Sequence, residues 1–295
     1  MKILILILLL FTLNSCSEKN QIYSQKVEPN IYRFLSEVEL PEELSFCGEK
    51  YPLNLEEVRE RAERELLLNL QQPGQLILYF KRAGRYFPLF ERLLREYNMP
   101  DDLKYLSVAE SALYMSRSPA GAIGLWQIMP ETAKALGLIV NEFVDERRHP
   151  EKSTIAAIKY LKQGYNNYRS WLLAAAGYNM GHSGVQNNID FQLTNDYFEL
   201  FLNEETSRYL FRIAIIKEIM QNTEKYGFNM KEIEIYKPYK YTLVKVNEEI
   251  TDLSAWARAN GTTYKEIKLL NPWILKRNLP KPPKGQFYEI ALPIK

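Results

Sequence analysis

Glu110 is the residue of this chain best placed to move a proton. It lies in Ala109-Glu110-Ser111-Ala112-Leu113, and Leu103, Leu106, Glu110 and Leu113 follow one another at spacings of three, four and three. On a helix beginning near Asp101, that spacing puts the carboxyl group on the apolar stripe and not on the solvated face. Burial disfavours the charged form, so a carboxyl group there keeps its proton near neutral pH and can give it up and take it back. Taken alone, such a glutamate reads more readily as a helix-end side chain reaching out to solvent; the motifs that follow reverse that reading. Acid catalysis on a poor leaving group commonly uses a second carboxylate. The nearest downstream candidates are Glu131, in the first turn of a helix, and Asp145, which precedes Glu146-Arg147-Arg148 on what reads as a charged surface. Neither is a convincing partner for Glu110.

Polar side chains follow in a fixed order: Ser116-Arg117-Ser118-Pro119, Gly124-Leu125-Trp126-Gln127, Ala176-Gly177-Tyr178-Asn179 and Glu205-Thr206-Ser207-Arg208-Tyr209. Hydroxyls and amides of this kind orient an acid or steady charge that develops beside it. Singly, Gln127 also reads as a cap amide, Tyr178 as a core tyrosine and Trp126 as a buried indole. Their order within one helical segment supplies the weight. Ser111 reads as structural, Glu205 as a cap or structural partner, and Gly121 and Gly124 as sites of tight turns or close backbone approach.

Several chemistries are excluded by what the chain lacks. Its two histidines, His149 and His182, and two cysteines, Cys16 and Cys47, form no spaced ligand set, so no metal and no cofactor is expected. Neither histidine stands in a cysteine-hydrolase context, and Cys47 reads as a small buried apolar side chain. A formal charge of +2, from 38 basic and 36 acidic residues, gives no field suited to nucleic acid, and no protein partner is deducible. The 20 tyrosines suit both core packing and stacking against rings.

The elements that must position these residues are mostly helical. Met1-Lys2, the apolar run from Ile3 to Phe11 and Leu13-Asn14-Ser15-Cys16 read as a lipoprotein signal peptide over 1–15, with Cys16 as a lipidated N-terminus anchoring the chain in a membrane; plain secretion with a free thiol is the alternative. A polar tether spans 16–44. An N-terminal helical region, 45–98, comprises a helix from Asn54 to about Gln72 stopped by Pro73-Gly74, another over Leu76 to Arg82, and, after Gly84, a third from Phe87 to Tyr97. The candidate catalytic domain, 99–228, has helices over about Asp101 to Tyr114, Pro130 to Leu136, Pro150 to Asn166, Ser170 to Tyr178 and Glu204 to Lys225. From 236 to 295 the order is strand, two helices, strand.

The ordered motifs resemble those of the soluble lytic transglycosylase catalytic domain, a lysozyme-like fold, and most of all the membrane-bound type D enzymes. The last segment resembles a divergent LysM module, with Asn271-Pro272 after its second helix and Asn247-Glu248-Glu249 where Gly-Asp-Thr is usual. The resemblance implies a mainly α fold with a small α+β module, a partner in peptidoglycan glycan strands, and a place in the cell envelope at the outer membrane facing the periplasm. It implies that Glu110 protonates the glycosidic oxygen between MurNAc and GlcNAc, then takes the proton of the muramic C6 hydroxyl to leave a 1,6-anhydromuramyl end. It assigns Ser118 to the carboxyl group or substrate, Gln127, Tyr178 and Asn179 to substrate, and Tyr209 to a groove wall; Ile123 stands where a smaller residue is commoner. A goose-type muramidase, which transfers the sugar to water, and a lipid-anchored protein that binds wall without cutting it remain the alternatives.

Overall fold

The computed structural model describes residues 31–294; the signal peptide and Cys16 lie outside that range. The chain divides after Val38. Before that point the described part is one short helix, α1 (Ile31–Glu37), inside the stretch read as a tether. Its Arg33 and Glu37 pair across one turn at 2.8 Å.

The remaining unit opens with a tight hairpin, β1 (Ser45–Phe46) and β2 (Glu49–Lys50), in antiparallel register. Cys47 and Gly48 both have positive φ, as a two-residue turn matched to strand twist demands. The sequence reading had no strand here, because two-residue strands carry no periodicity. Asp102 holds the hairpin against the start of the candidate catalytic helix, accepting from Cys47 N at 2.8 Å and from Lys217 Nζ at 2.6 Å. Cys47 is half-buried, and burial, with Asp102 beside it, pushes its thiol well above the ordinary range. It is an inert structural side chain.

Two long helices follow, α2 (Glu56–Leu70) and α3 (Pro73–Glu96). Pro73 does not merely stop α2; it starts α3 at N1, where its missing N–H costs nothing. The break expected at Gly84 does not occur. A Cβ there would lie 3.0 Å from both Ile235 Cβ and Tyr236 O, so this glycine serves close approach of another segment while the helix runs on through Pro88.

A 3-10 turn at Asp101–Leu103 leads into α4 (Lys104–Ser111). This helix stops three residues short of the expected Tyr114. Ala112 enters the left-handed region at φ 55 and returns its N–H to Val108 O, closing the helix immediately after Glu110. Beyond it come α5 (Pro130–Ala135), α6 (Pro150–Tyr168), α7 (Trp171–Met180), α8 (His182–Gln192) and α9 (Glu204–Gln221). The last ends before the expected Lys225. Helix α8 was unforeseen: only Val185 in it is buried, so it shows no apolar stripe. By contrast α7 is buried from Leu172 through Gly177, and α9 along most of its length, with α9 packing on α2, α4 and α7. Among the described residues no helix is long and apolar enough to cross a membrane, and no cluster of potential metal ligands occurs.

The C-terminal module has the expected order: β3 (Tyr241–Val246), α10 (Leu253–Ala259), α11 (Tyr264–Leu270) and β4 (Tyr288–Pro293), with β3 and β4 antiparallel. Asn271 pins it internally, exchanging two 2.8 Å bonds with the Ala291 backbone. Val144 belongs to the module's core, with Asp145 N bonded to Trp273 O and Leu275 N to Phe143 O. The 139–149 loop is thus a shared wall between the two parts.

Asp145 corrects the sequence reading. It is 3% exposed and not part of a charged surface, and its carboxylate takes Arg147 in a two-pronged pair at 2.9 Å on each arm. Arg147 also donates to Gly121 O and Ile128 O, at 2.9 and 3.2 Å. Its own carbonyl lies 2.1 Å from where a Cβ on Gly124 would stand, so only glycine fits. This network is the frame of the 116–128 loop.

Candidate functional site

Glu110 ends on the last turn of α4, half-buried as a residue, with its carboxyl group packed among protein atoms. Oε1 accepts a 2.5 Å hydrogen bond from Tyr209 Oη, delivered from the first half of α9. Burial raises its pKa to about 7; the Tyr209 hydrogen bond and the charge of Arg212 oppose that rise, and Glu205 adds to it. No cation pairs directly with Glu110 among the described residues. The carboxyl group is therefore poised to be protonated or ionised near neutral pH.

Ser107 and Ser111 fix the helix beneath the acid. Both hydroxyls donate to Leu125 O, at 2.8 and 2.7 Å, which ties α4 to the loop carrying Trp126 and Gln127. Ser111 is structural, as expected; Ser107 was missed, although its place one helical turn earlier puts both hydroxyls on the same face. Trp126 is fully buried against Phe90 and donates to Thr154 Oγ1 at 2.8 Å.

The expected site residues separate into groups. Tyr209 touches the acid directly, a closer role than groove wall. Burial pushes the Tyr178 hydroxyl well upward, and the charge of Glu110, within electrostatic range, adds to the rise, but the hydroxyl donates to Trp126 O at 2.7 Å. Asn179 binds Thr206 Oγ1 at 2.7 Å and Glu205 at 3.3 Å, joining α7 to the start of α9. Glu205 is thus a structural partner that also brings a like charge toward Glu110. Gln127, at φ 46, spends its amide nitrogen on Ser116 Oγ and Gly124 O, at 3.0 and 2.8 Å. With Tyr178, Asn179, Met129 and Tyr160 it lines a cavity of about 280 Å³. Ser118 stands apart: its hydroxyl accepts from Ala122 N at 3.0 Å, and no hydrogen bond joins it to Glu110. Its short side chain is used to close its own turn. Arg212, three residues after Tyr209 and with its guanidinium 5.6 Å from that ring, was not foreseen.

The two histidines take no part in this arrangement. Burial lowers His149 to about 4, and His182 is lowered by burial too. His182 fills the space above Gly164 and Gly177, where a Cβ would come within 2.6 and 2.3 Å of its ring.

A carboxyl group packed at a helix end and held by a tyrosine can release and regain a proton near neutral pH. Residues 88–201 match the family model Transglycosylase SLT domain, and residues 242–295 match the Soluble lytic transglycosylase C-terminal LysM-like domain. The chain thus carries an SLT transglycosylase domain and a soluble lytic transglycosylase C-terminal LysM-like domain, in a mostly helical fold with a small strand-containing C-terminal module. It is 28% identical over 192 residues to Membrane-bound lytic murein transglycosylase D of Escherichia coli K12, and equally to the protein of that name from Escherichia coli O6:H1. Those alignments cover 63% of this chain and 42% of each relative, so the chain spans under half the length of the curated relatives it matches. Among solved structures, the 70 kDa soluble lytic transglycosylase of Escherichia coli aligns over 51% of this chain and 27% of its own, at 21% identity and a TM-score of 0.41.

Proposed function

We propose that the protein is a peptidoglycan lytic transglycosylase that cleaves the β-1,4 bond between MurNAc and GlcNAc using Glu110 alone as acid and then base. The observation that carries this reading is the state of Glu110: enclosed, its side chain hydrogen-bonded among the described residues by Tyr209 alone, and raised to about 7. In the first step the Glu110 proton passes to the glycosidic oxygen as the bond to the anomeric carbon breaks. In the second, the C6 hydroxyl of the same muramoyl residue bonds to that carbon and its proton returns to Glu110. No water is consumed, and the enzyme ends as it began. Of the other carboxylates, Glu205 is held by Asn179, Asp145 is buried under Arg147, and Glu131 sits in the first turn of α5.

Tyr209 steadies the carboxylate formed between the steps, and Tyr178, Asn179 and Gln127 form the wall against which the sugar is held. Ser118 contributes through the shape of its turn. In the intact protein we place a signal peptide at 1–15, a lipidated Cys16, a tether over 16–44, a helical region over 45–98 packed on the catalytic domain at 99–228, and a peptidoglycan-binding module at 236–295. That order holds the enzyme in the cell envelope, anchored at the outer membrane and facing the periplasm, with the module raising the local concentration of strands. The test is mass spectrometry of purified peptidoglycan after incubation with the chain lacking residues 1–16. We expect 1,6-anhydromuramyl ends with wild type and none with Glu110→Gln. Reducing ends point to a goose-type hydrolase, and no products from either protein to a wall-binding protein.

A further inference from the structure

A second cavity, of about 300 Å³, borders the acid helix through Ala109, the residue before Glu110, on the side where α2, α3 and α9 meet. Its other lining groups include Asn69, Gln72, Gln75, Tyr79, Arg208 and Arg212. Two of these are cations, and they differ in one respect. Arg208 is neutralised, its Nε lying 2.7 Å from a carboxylate oxygen of Glu65, itself 2% exposed. Arg212 has no ion pair and no hydrogen bond among the described residues; its Nε is buried without a partner, and its only close relation is with the face of Tyr209. A guanidinium is always charged and carries five donors in a planar fork matched to a carboxylate. Leaving such a group in a recess without an acceptor is costly unless a ligand completes it. Arg212 lines the cavity together with Ala109 and is near enough to Glu110 and to Tyr79 to favour the ionised form of each.

We propose that this cavity is a carboxylate subsite in which Arg212 pairs with the acid group borne by a muramoyl residue next to the scissile bond. The inference rests on the wall-cleaving reading above. The carboxylate has two sources, the 3-O-lactyl group itself where the strand is bare, or the peptide attached to that group. In either case Arg212 supplies the charge, Gln75 and Tyr79 offer neutral polar atoms at its side, and the recess has room for a carboxylate with its attached atoms. The glycan is thereby read by its acidic substituent as well as by its rings.

The experiment uses the Glu110→Gln protein, so that strands are bound and not consumed, and compares Arg212 with Arg212→Gln and Arg212→Lys by calorimetry. The ligands are a muramoyl oligosaccharide with free lactyl carboxylates, the same oligosaccharide bearing peptides, and the bare one with its carboxyl groups converted to methylamides. Thermal unfolding of each variant monitors the fold. We expect Arg212→Gln to weaken binding of a carboxylate-bearing ligand by about 10- to 100-fold, to leave the methylamide within about twofold, and Arg212→Lys to restore part of the loss. The ligand that loses more identifies the source of the carboxylate. An equal loss on all three ligands, or no loss on any, overturns the proposal. Cleavage of peptidoglycan by the wild-type chain is assayed alongside: if it cuts and the Arg212 variants treat the ligands alike, only this inference fails, whereas absence of both cutting and binding removes the wall-cleaving reading and this inference with it.

Discussion

Two enclosed acids in this protein, Asp145 and Glu110, meet opposite fates. Asp145 is enclosed together with its countercharge, Arg147, whose remaining donors fasten the 116–128 loop. Glu110 is enclosed with a hydroxyl and no direct cation partner. Burial alone therefore does not make a catalytic acid. Where the pair is complete, the charge is fixed and the effect is architectural; where it is left incomplete, burial raises the proton affinity, and in the function we propose the group becomes a reagent. The frame and the reagent are coupled through Gly124, which rests on the Arg147 carbonyl, and Leu125, which receives Ser107 and Ser111 from the acid helix.

The contrast is broken most severely by removing each acid in turn. Glu110→Gln is expected to lower turnover of peptidoglycan by more than about 1000-fold while leaving the circular dichroism spectrum unchanged, since an amide replaces the acid at equal size. Asp145→Ala is expected to strand the buried Arg147 charge and to cost about 3–5 kcal/mol in urea unfolding. Any loss of activity it causes should follow loss of the folded population. Were the two outcomes exchanged, with Asp145→Ala folded and inactive, the division between frame and reagent would be wrong.

A pH series sharpens the same comparison. The folded pKa of Glu110, about 7, lies above the value of 4.5 expected without the fold. Below about pH 4.5 both states hold the proton and there is no penalty. As pH rises from there through 7, the unfolded chain ionises first, so the fold loses on the order of 3 kcal/mol relative to its low-pH stability and nothing further above that. Glu110→Gln removes this slope, and the stability of variant and wild type should diverge across that window in favour of the variant. The smallest change is Tyr209→Phe. It deletes a hydrogen bond that favours the carboxylate, so we expect about a tenfold fall in kcat and an upward move of the high-pH limb of the activity profile.

How much of this was legible in the sequence depends on the range of the interaction involved. The stripe of Leu103, Leu106 and Glu110 is local, and it correctly predicted an enclosed acid on a helix. The strand, helix, helix, strand order of the last segment was equally plain from its patterning. Non-local facts were hidden. Asp145 beside Glu146-Arg147-Arg148 has the composition of a surface, and only the fold reveals that the pair closes over a loop 20 or so residues earlier. Gly84 reads as a break until the chain returns near Ile235 to occupy the space it leaves. Helix α8 lacks an apolar stripe because it is stabilised at one face only, through Val185. Ser118 carried a motif but is folded back on Ala122, whereas Tyr209, at the edge of the readable pattern, is the side chain that holds the acid.

The most direct test is a titration of the Glu110 side-chain carboxyl by carbon NMR, with Glu110→Gln used to assign the signal. We expect a single transition near pH 7 in wild type, moving upward in Tyr209→Phe. A transition in the ordinary glutamate range, near 4 to 5, would mean that the carboxylate is ionised throughout neutral pH and that another group must deliver the proton.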